Sequence, residues 1–249
     1  LDSRSSMIDG NGFPSPAFDV IGVASKIAGT NGTFSEYAME SYFGRATLAY
    51  DDKYILNATI RSDGSSKFVR KVRWGTFPSI SLGWNLSNEK FWTNDDFDLK
   101  LRVSYGKTGN QEGIGNYAAL PLISGGLNYD YNVGIGVSSF GNEELTWETA
   151  DQYNVGLDFS YMNGKINLIL DMYQKNTHRL LYEKPVHVTT GVTSLMSNIG
   201  SIRNRGIELT LNTHFNLGKV RWDSQFNIAH NKNKVTSLLD DNLIPIGNN

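Results

Sequence analysis

Apolar and polar residues alternate one by one through most of this chain, and that period of two is what most restricts its fold. Tyr54, Leu56, Ala58 and Ile60 fall on one side, with Asn57, Thr59, Arg61 and Asp63 on the other. Ile166, Leu168, Leu170 and Met172 oppose Asn167, Asp171 and Lys175. Ile207, Leu209 and Leu211 oppose Glu208, Thr210, Asn212 and His214, while Val220, Trp222, Phe226 and Ile228 oppose Arg221, Asp223, Gln225 and Asn227. Successive side chains of a strand point to opposite faces, so each run reads as a strand with one apolar and one polar face. Weaker alternation over 42–50, 77–86, 99–105 and 153–161 brings the expectation to about eight strands. Helical periodicity of comparable length does not occur. The stretches best suited to a helical turn are 34–39 and 88–96.

The connections sort by length. Asp51-Asp52-Lys53 is tight, 64–75 longer, 87–98 intermediate, 107–146 very long, 162–165 tight, 177–204 long and 217–219 tight. Asn163-Gly164 is the preferred central pair of a type I′ hairpin turn. In an up-and-down meander alternate connections lie at the same end. One end therefore carries trim turns and the other large loops, as in an outer-membrane barrel with short periplasmic turns and long external loops. Aromatic residues cluster near both sets of strand ends: Tyr50, Tyr54, Phe159, Tyr161, Phe215 and Trp222 at the tight turns, Trp74, Phe77 and Trp147 at the other end. Such girdles are expected at the two membrane interfaces.

Composition is consistent with this. Only 19% of the 249 residues are charged and 12% are aromatic, which disfavours disorder and suits strands. A net charge of −2 lacks the basic excess of a nucleic-acid binder. The absence of cysteine removes disulfides, thiol catalysis and Cys-ligated metals. No apolar run is long enough for a transmembrane helix, which leaves membrane strands open because they score poorly on hydropathy.

A series of words in fixed order makes the chain recognisable. Glu40-Ser41-Tyr42-Phe43-Gly44-Arg45 leads to Tyr50-Asp51-Asp52-Lys53-Tyr54 and to Arg61-Ser62-Asp63-Gly64-Ser65-Ser66-Lys67-Phe68. Arg73-Trp74-Gly75-Thr76-Phe77-Pro78-Ser79, Leu99-Lys100-Leu101-Arg102-Val103-Ser104-Tyr105-Gly106-Lys107-Thr108-Gly109-Asn110-Gln111 and Leu145-Thr146-Trp147-Glu148-Thr149 follow. Asn198-Ile199-Gly200-Ser201 and Asn204-Arg205-Gly206-Ile207-Glu208-Leu209 close the series. Over roughly residues 36–231 the chain resembles the barrel of the SusC/RagA family of TonB-dependent outer-membrane transporters of Bacteroidota. The resemblance implies a β-barrel of 22 strands closed by an N-terminal plug and energised through TonB. It also implies a SusD-like surface lipoprotein as partner, a location in the outer-membrane lipid, and an oligosaccharide or peptide cargo. No plug or TonB box is recognisable here, so the chain is expected to be an internal fragment of the barrel. The expected divisions are an extracellular loop region over 1–36, barrel strands and loops over 37–231, and a further loop beginning in 232–249.

Within that frame the polar faces should look into the lumen. Asn57, Thr59, Arg61, Asp171, Glu208, Asn212 and Gln225 are then candidates to touch cargo or plug, and Trp74, Tyr129 and Trp147 are loop aromatics that could stack on a sugar ring. No catalytic residue, cofactor or metal is expected: His178, His187, His214 and His230 lack metal-ligand spacing. Two rivals remain open at this point. One is a secreted, soluble β-sandwich that binds carbohydrate, with the apolar faces as its core. The other is a surface glycosidase using Glu144 and Glu148, which needs two carboxylates at a set separation in a cleft.

Overall fold

The computed structural model describes residues 2–11, 25–94, 96–125, 130, 132 and 134–238. Among them, in chain order, are strands β1 (Asp2–Asn11), β2 (Lys26–Glu36), β3 (Met39–Tyr50), β4 (Tyr54–Ser65), β5 (Trp74–Asn85), β6 (Phe97–Asn110) and β7 (Leu122–Gly125). Strands β8 (Ile135–Ser139), β9 (Glu148–Tyr161), β10 (Ile166–His178), β11 (Leu181–Pro185), β12 (Ser194–Asn198), β13 (Ser201–Leu217) and β14 (Val220–Ser237) complete the set. Eight of them form one antiparallel sheet in the order β14-β13-β10-β9-β6-β5-β4-β3. Each is bonded to its predecessor in the meander. The remaining six make three separate hairpins, β1–β2, β7–β8 and β11–β12. The last two lie inside the long connections, whose short strands gave little alternation to read.

The tight turns follow their local chemistry. Asp51 and Asp52 both take positive φ, and the Lys53 amide closes the turn on the Tyr50 carbonyl at 3.0 Å. Asn163 and Gly164 are both at positive φ, with the Lys165 amide on the Met162 carbonyl, the signs a type I′ pair takes. Met162 is at positive φ as well, so the connection between paired Tyr161 and Ile166 has four residues and not two. The stretch 34–39, expected to hold a helical turn, is instead the end of β2 and the start of β3. There β2 satisfies its backbone groups against β1 from Asp2 to Asn11, and long-range pairing overrides local preference. Of 88–96, only the 3-10 turn Leu86–Asn88 touches the expected helical segment.

Direct partners in an antiparallel ladder project to the same face, so the register assigns both faces of the sheet. One row runs Leu56, Leu82, Val103, Val155, Met172 and Ile207. The row beside it, on the other face, runs Asn57, Ser81, Ser104, Asn154, Tyr173, Gly206 and Asn231. The apolar face is bare: Leu48, Leu82, Val103 and Val155 are all exposed. Among the described residues no second sheet covers it, which removes the sandwich reading. An apolar surface of this extent is a membrane or docking surface, not a water-facing one.

Aromatic rings trace the lower edge of that face. Tyr50, Tyr54 and Trp84 stack in succession, Phe97 stacks on Tyr161, and Phe215 pairs with Trp222. This edge is oblique to the register. The row holding Tyr54 and Trp84 reaches β13 at Leu209, six positions short of Phe215. Between the β3–β4 and β13–β14 hairpins the edge therefore slips about one residue per strand. With a rise of about 3.3 Å per residue and strands about 4.8 Å apart, that slip is a tilt of about 35°, the value at which membrane barrels close. On β4 the span from Tyr54 to Gly64, which faces Trp74, is about 33 Å along the strand, or roughly 27 Å of vertical height at that tilt, close to the height of a barrel's apolar band. Strands β3 and β14 each have one neighbour in the sheet. The fold is thus a segment of an antiparallel up-and-down transmembrane barrel.

The buried apolar cluster lies at the long-loop end of the sheet, built mainly from loops around Phe77 of β5. Phe68, Phe77, Ile114, Ala119, Leu145 and Trp147 form the buried apolar cluster, with Val69, Val72, Ala118, Leu181 and Met196 against it. Segments 66–73, 111–121, 142–147 and 179–200 therefore share one small core above the long-loop end of the sheet.

Candidate functional site

All seven polar candidates lie on one face of the sheet. Asn57, Thr59 and Arg61 follow one another on β4; Asp171 faces Glu208 across β10–β13; Asn212 faces Gln225 across β13–β14. Asn57 accepts a hydrogen bond from Thr47 Oγ1 (2.9 Å) and lies within 3.4 Å of Ser81 Oγ. Around it a groove of about 300 Å³ is lined by Thr59, Ser79, Ser104, Gln152 and Asn154 among others. A larger groove of about 600 Å³ continues toward the loops past Arg61, Asp63, Gln111 and Glu112. Hydroxyl and amide groups dominate the first groove, with Arg45 as the charged residue in its lining, so it offers paired donors and acceptors beside one cation.

Two candidates are already engaged within the wall. Arg61 Nε reaches both oxygens of buried Asp63 at 2.8 Å and its Nη2 reaches Ser41 Oγ at 3.3 Å. Asp171 shares the Arg102 guanidinium with Asp158: Arg102 Nε and Nη2 meet the two Asp158 oxygens at 2.9 and 2.7 Å, and Nη2 meets Asp171 Oδ1 at 3.0 Å. Gly156 makes room for this arrangement, since a Cβ there would lie 2.6 Å from Asp171 Oδ1 and 2.7 Å from Arg102 Cζ. The cation offsets the like charges of Asp171 and Glu208, which face each other directly. Arg102, Ser81, Ser104 and Asn154 were not singled out in the sequence. The run Leu99-Lys100-Leu101-Arg102 carries the signal for Arg102. The serines and Asn154 lie in runs whose alternation is diluted by glycine.

The loop aromatics behave otherwise than expected. Trp147 is only 4% exposed. Its ring contacts Phe68 and Phe77, and its Nε1 donates to the Arg73 carbonyl at 2.9 Å. No face is left for a sugar, because three loops close over it. Trp74 stacks on Tyr42 at 6.0 Å on the apolar side, at the upper edge of the band. Tyr129 lies outside the described residues.

The loop core is tied by polar contacts as well. Lys67 Nζ donates to the Ile114 carbonyl at 3.2 Å and lies 5.3 Å from the Tyr37 ring centre. The Tyr117 hydroxyl accepts from the Glu36 amide, and Asn116 Nδ2 donates to Ser35 Oγ at 2.7 Å, so the β1–β2 hairpin is anchored on segment 111–121. Glu148 spends both carboxylate oxygens on structure, one taking Asn110 Nδ2 and the other the Leu181 amide. Glu144 is exposed, and its amide donates to Asn142 Oδ1. The pair forms no acid–base couple in a cleft. Among the described residues no group of three His, Asp or Glu could hold a metal ion.

At the opposite end, Glu89 joins the short-turn side together. It accepts from the Tyr54 hydroxyl (2.6 Å) and from Trp84 Nε1 (3.1 Å), and Lys53 Nζ lies 3.9 Å away. The Tyr54 and Trp84 hydrogen bonds hold the Glu89 carboxyl below the usual carboxylate range, because both stabilise its ionised form. Lys53 is raised above its ordinary value, chiefly by its hydrogen bond to Asp51.

Comparison with known proteins agrees with this geometry. The profile of the family described as "TonB dependent receptor-like, beta-barrel" matches residues 4–248. The chain is 38% identical over 216 residues to TonB-dependent receptor P39 of Formosa agariphila, covering 86% of this chain and 20% of that protein. It is 38% identical over 208 residues to TonB-dependent receptor SusC of Bacteroides thetaiotaomicron, covering 80% and 21%. The chain thus spans about a fifth of the length of the curated relatives it matches. The solved RagAB peptide transporter superposes with a TM-score of 0.87 at 28% identity, over 96% of this chain and 27% of that one. The siderophore receptor PirA of Pseudomonas aeruginosa superposes at 0.51 with 13% identity, a likeness of fold alone.

Proposed function

This chain belongs to the SusC/RagA family of TonB-dependent receptors, as part of their outer-membrane β-barrel, and we propose that it supplies wall and external loops to an importer of nutrient oligosaccharides. Members of this family are transport proteins and not enzymes. The observation that carries the reading is the single sheet with two unlike faces: one apolar, ringed by aromatics and of bilayer height, the other lined by hydrogen-bonding groups. On this reading residues 37–231 form the wall with its loops and the β1–β2 hairpin belongs to the external loop layer; the further loop expected from 232 onward begins later, because β14 carries the wall on to Ser237. Asn57, Thr59, Arg61, Asp171, Glu208, Asn212 and Gln225 face the lumen and meet cargo or the plug.

Oligosaccharide is favoured over peptide by the chemistry of the groove beside Asn57. Its Asn, Ser, Thr and Gln side chains match a hydroxyl-rich cargo, to which Arg45 adds a single strong donor, and a site built to pair hydroxyls rejects molecules that cannot pair it. A SusD-like lipoprotein would capture cargo at the loop end, and TonB would act through a plug elsewhere in the protein. The test is uptake by cells carrying the full-length receptor with Asn57→Leu, Ser104→Leu and Asn154→Leu together. Uptake of labelled oligosaccharide should fall by about tenfold or more, the loss of a few buried hydrogen bonds, while barrel assembly is retained. Unchanged oligosaccharide uptake with impaired peptide uptake would overturn the choice of cargo.

A further inference from the structure

The outer face carries a cationic cluster just above its apolar band. On β13 and β14, Arg205 directly faces Lys232 and Arg203 directly faces Lys234. By register all four project from the same side as Ile207 and Ile228, away from the lumen. Counted from the lower aromatic edge at Phe215 and Trp222, Arg205 and Lys232 stand ten residues higher, roughly 27 Å vertically at the strand tilt. Ten residues is also the distance from Tyr54 to the Gly64–Trp74 pair on β4–β5. The cluster therefore sits at the outer headgroup level, where β3–β5 place Tyr42 and Trp74.

Like charges directly opposite each other destabilise a sheet, and here two such pairs lie side by side. Among the described residues none of the four forms an ion pair with a carboxylate. Asp151, on the same face beyond Asn176, accepts from the Tyr105 hydroxyl at 2.7 Å and lies 3.8 Å from His178 Nε2. The two arginines are instead steered by neutral groups. Arg205 Nε donates to Gln174 Oε1 at 2.8 Å and Arg203 Nε to Asn176 Oδ1 at 2.9 Å. Using Nε in this way fixes each guanidinium plane and leaves its terminal nitrogens to grip a tetrahedral anion. Tyr105 and Tyr153, whose rings meet at 5.1 Å with planes inclined by 41°, continue the same level toward β6 and β9 and suit an interfacial glycolipid.

We propose that Arg203, Arg205, Lys232 and Lys234 form a docking surface for a phosphate-bearing glycolipid of the outer leaflet, held by its headgroup phosphates. The proposal rests on the outer-membrane barrel reading, since only a lipid-facing wall at this height meets headgroups. Four fixed cations there favour an anionic headgroup strongly, and lipid phosphate relieves the repulsion between the facing pairs.

The test uses the full-length receptor purified from outer membranes in mild detergent, with bound lipid counted by native mass spectrometry. The wild type should retain phosphorylated glycolipid. The variant with Arg203→Gln, Arg205→Gln, Lys232→Gln and Lys234→Gln should lose it by about tenfold or more, and the Arg203→Lys, Arg205→Lys variant should keep most of it. If the glutamine variant fails to assemble, the wild type decides alone. In phosphatidylcholine nanodiscs it should be stabilised by added diphosphoryl lipid A and not by its dephosphorylated form or by inorganic phosphate. Equal lipid retention in wild type and glutamine variant, or equal stabilisation with and without the lipid phosphates, would overturn the proposal. Recovery of the receptor outside the outer membrane would instead overturn the barrel reading beneath it.

Discussion

The indole of Trp147 stands nearly perpendicular to the ring of Phe77, with centroids 5.5 Å apart and planes at 71°. Phe77 belongs to the wall and Trp147 ends the longest external connection, so this contact fastens the loop layer to the barrel. Edge-to-face pairs add to the ordinary gain from burial. Phe68, from another loop, also packs on the indole, with ring centroids 5.3 Å apart.

Trp147→Ala should therefore loosen the loops while sparing the wall. The expected loss is about 3–5 kcal/mol of loop-layer stability, as for large core truncations. Limited proteolysis of the full-length receptor should show new cleavage within 111–147 and 66–73 with the strands still protected. Trp147→Phe keeps the packing and loses only the bond to the Arg73 carbonyl, so it should cost about 1 kcal/mol.

The Arg102 cluster makes a coupled prediction. Gly156→Ala should push the guanidinium off Asp171 and cost about 1 kcal/mol, since the charges are partly exposed and screened. Asp171→Asn should cost about as much or less, and the double variant no more than the larger single one, because both remove the same contact. Denaturant midpoints of the three receptors check this; fully additive losses would show that Gly156 acts by backbone effects alone.

Ile228 and Asn227 are neighbours on β14 that project to opposite faces. Ile228→Arg places a charge on the apolar side near mid-height and should destabilise the folded barrel by about 2–4 kcal/mol. Asn227→Arg, one residue away, should change stability by less than about 1 kcal/mol. Equal effects in a lipid-refolding titration would mean that the two faces see the same solvent.

Glu89 sets a pH dependence at the short-turn end. Its folded-state pKa is depressed, so its contribution to stability is fully present above the ordinary carboxylate range. That contribution is lost as pH falls through the lowered value. Glu89→Gln should remove this acid-side component, leaving a flatter stability profile below neutral pH, with the tight turn 51–53 and the 86–96 connection as the first region to exchange amide hydrogens.

Much of the wall was legible in the residues alone. The alternation around Leu56, Leu170, Leu209 and Ile228 assigns faces because side-chain direction in a strand depends only on parity, a local property of the backbone. The ends were legible because turn chemistry, as at Asp51-Asp52 and Asn163-Gly164, is also local. What tertiary structure decided depends on residues far apart in the chain. Trp147 reads as an available loop aromatic until segments 66–73 and 179–200 close over it, and Asp171 reads as a free lumen carboxylate until register brings Arg102 within 3.0 Å. Residues 34–36 become strand because β1 is there to pair with β2, and Met39 because β4 is there to pair with β3. Parity can say which way a side chain points; only cross-strand register and loop packing, set by distant partners competing for the same buried space, can say what it meets.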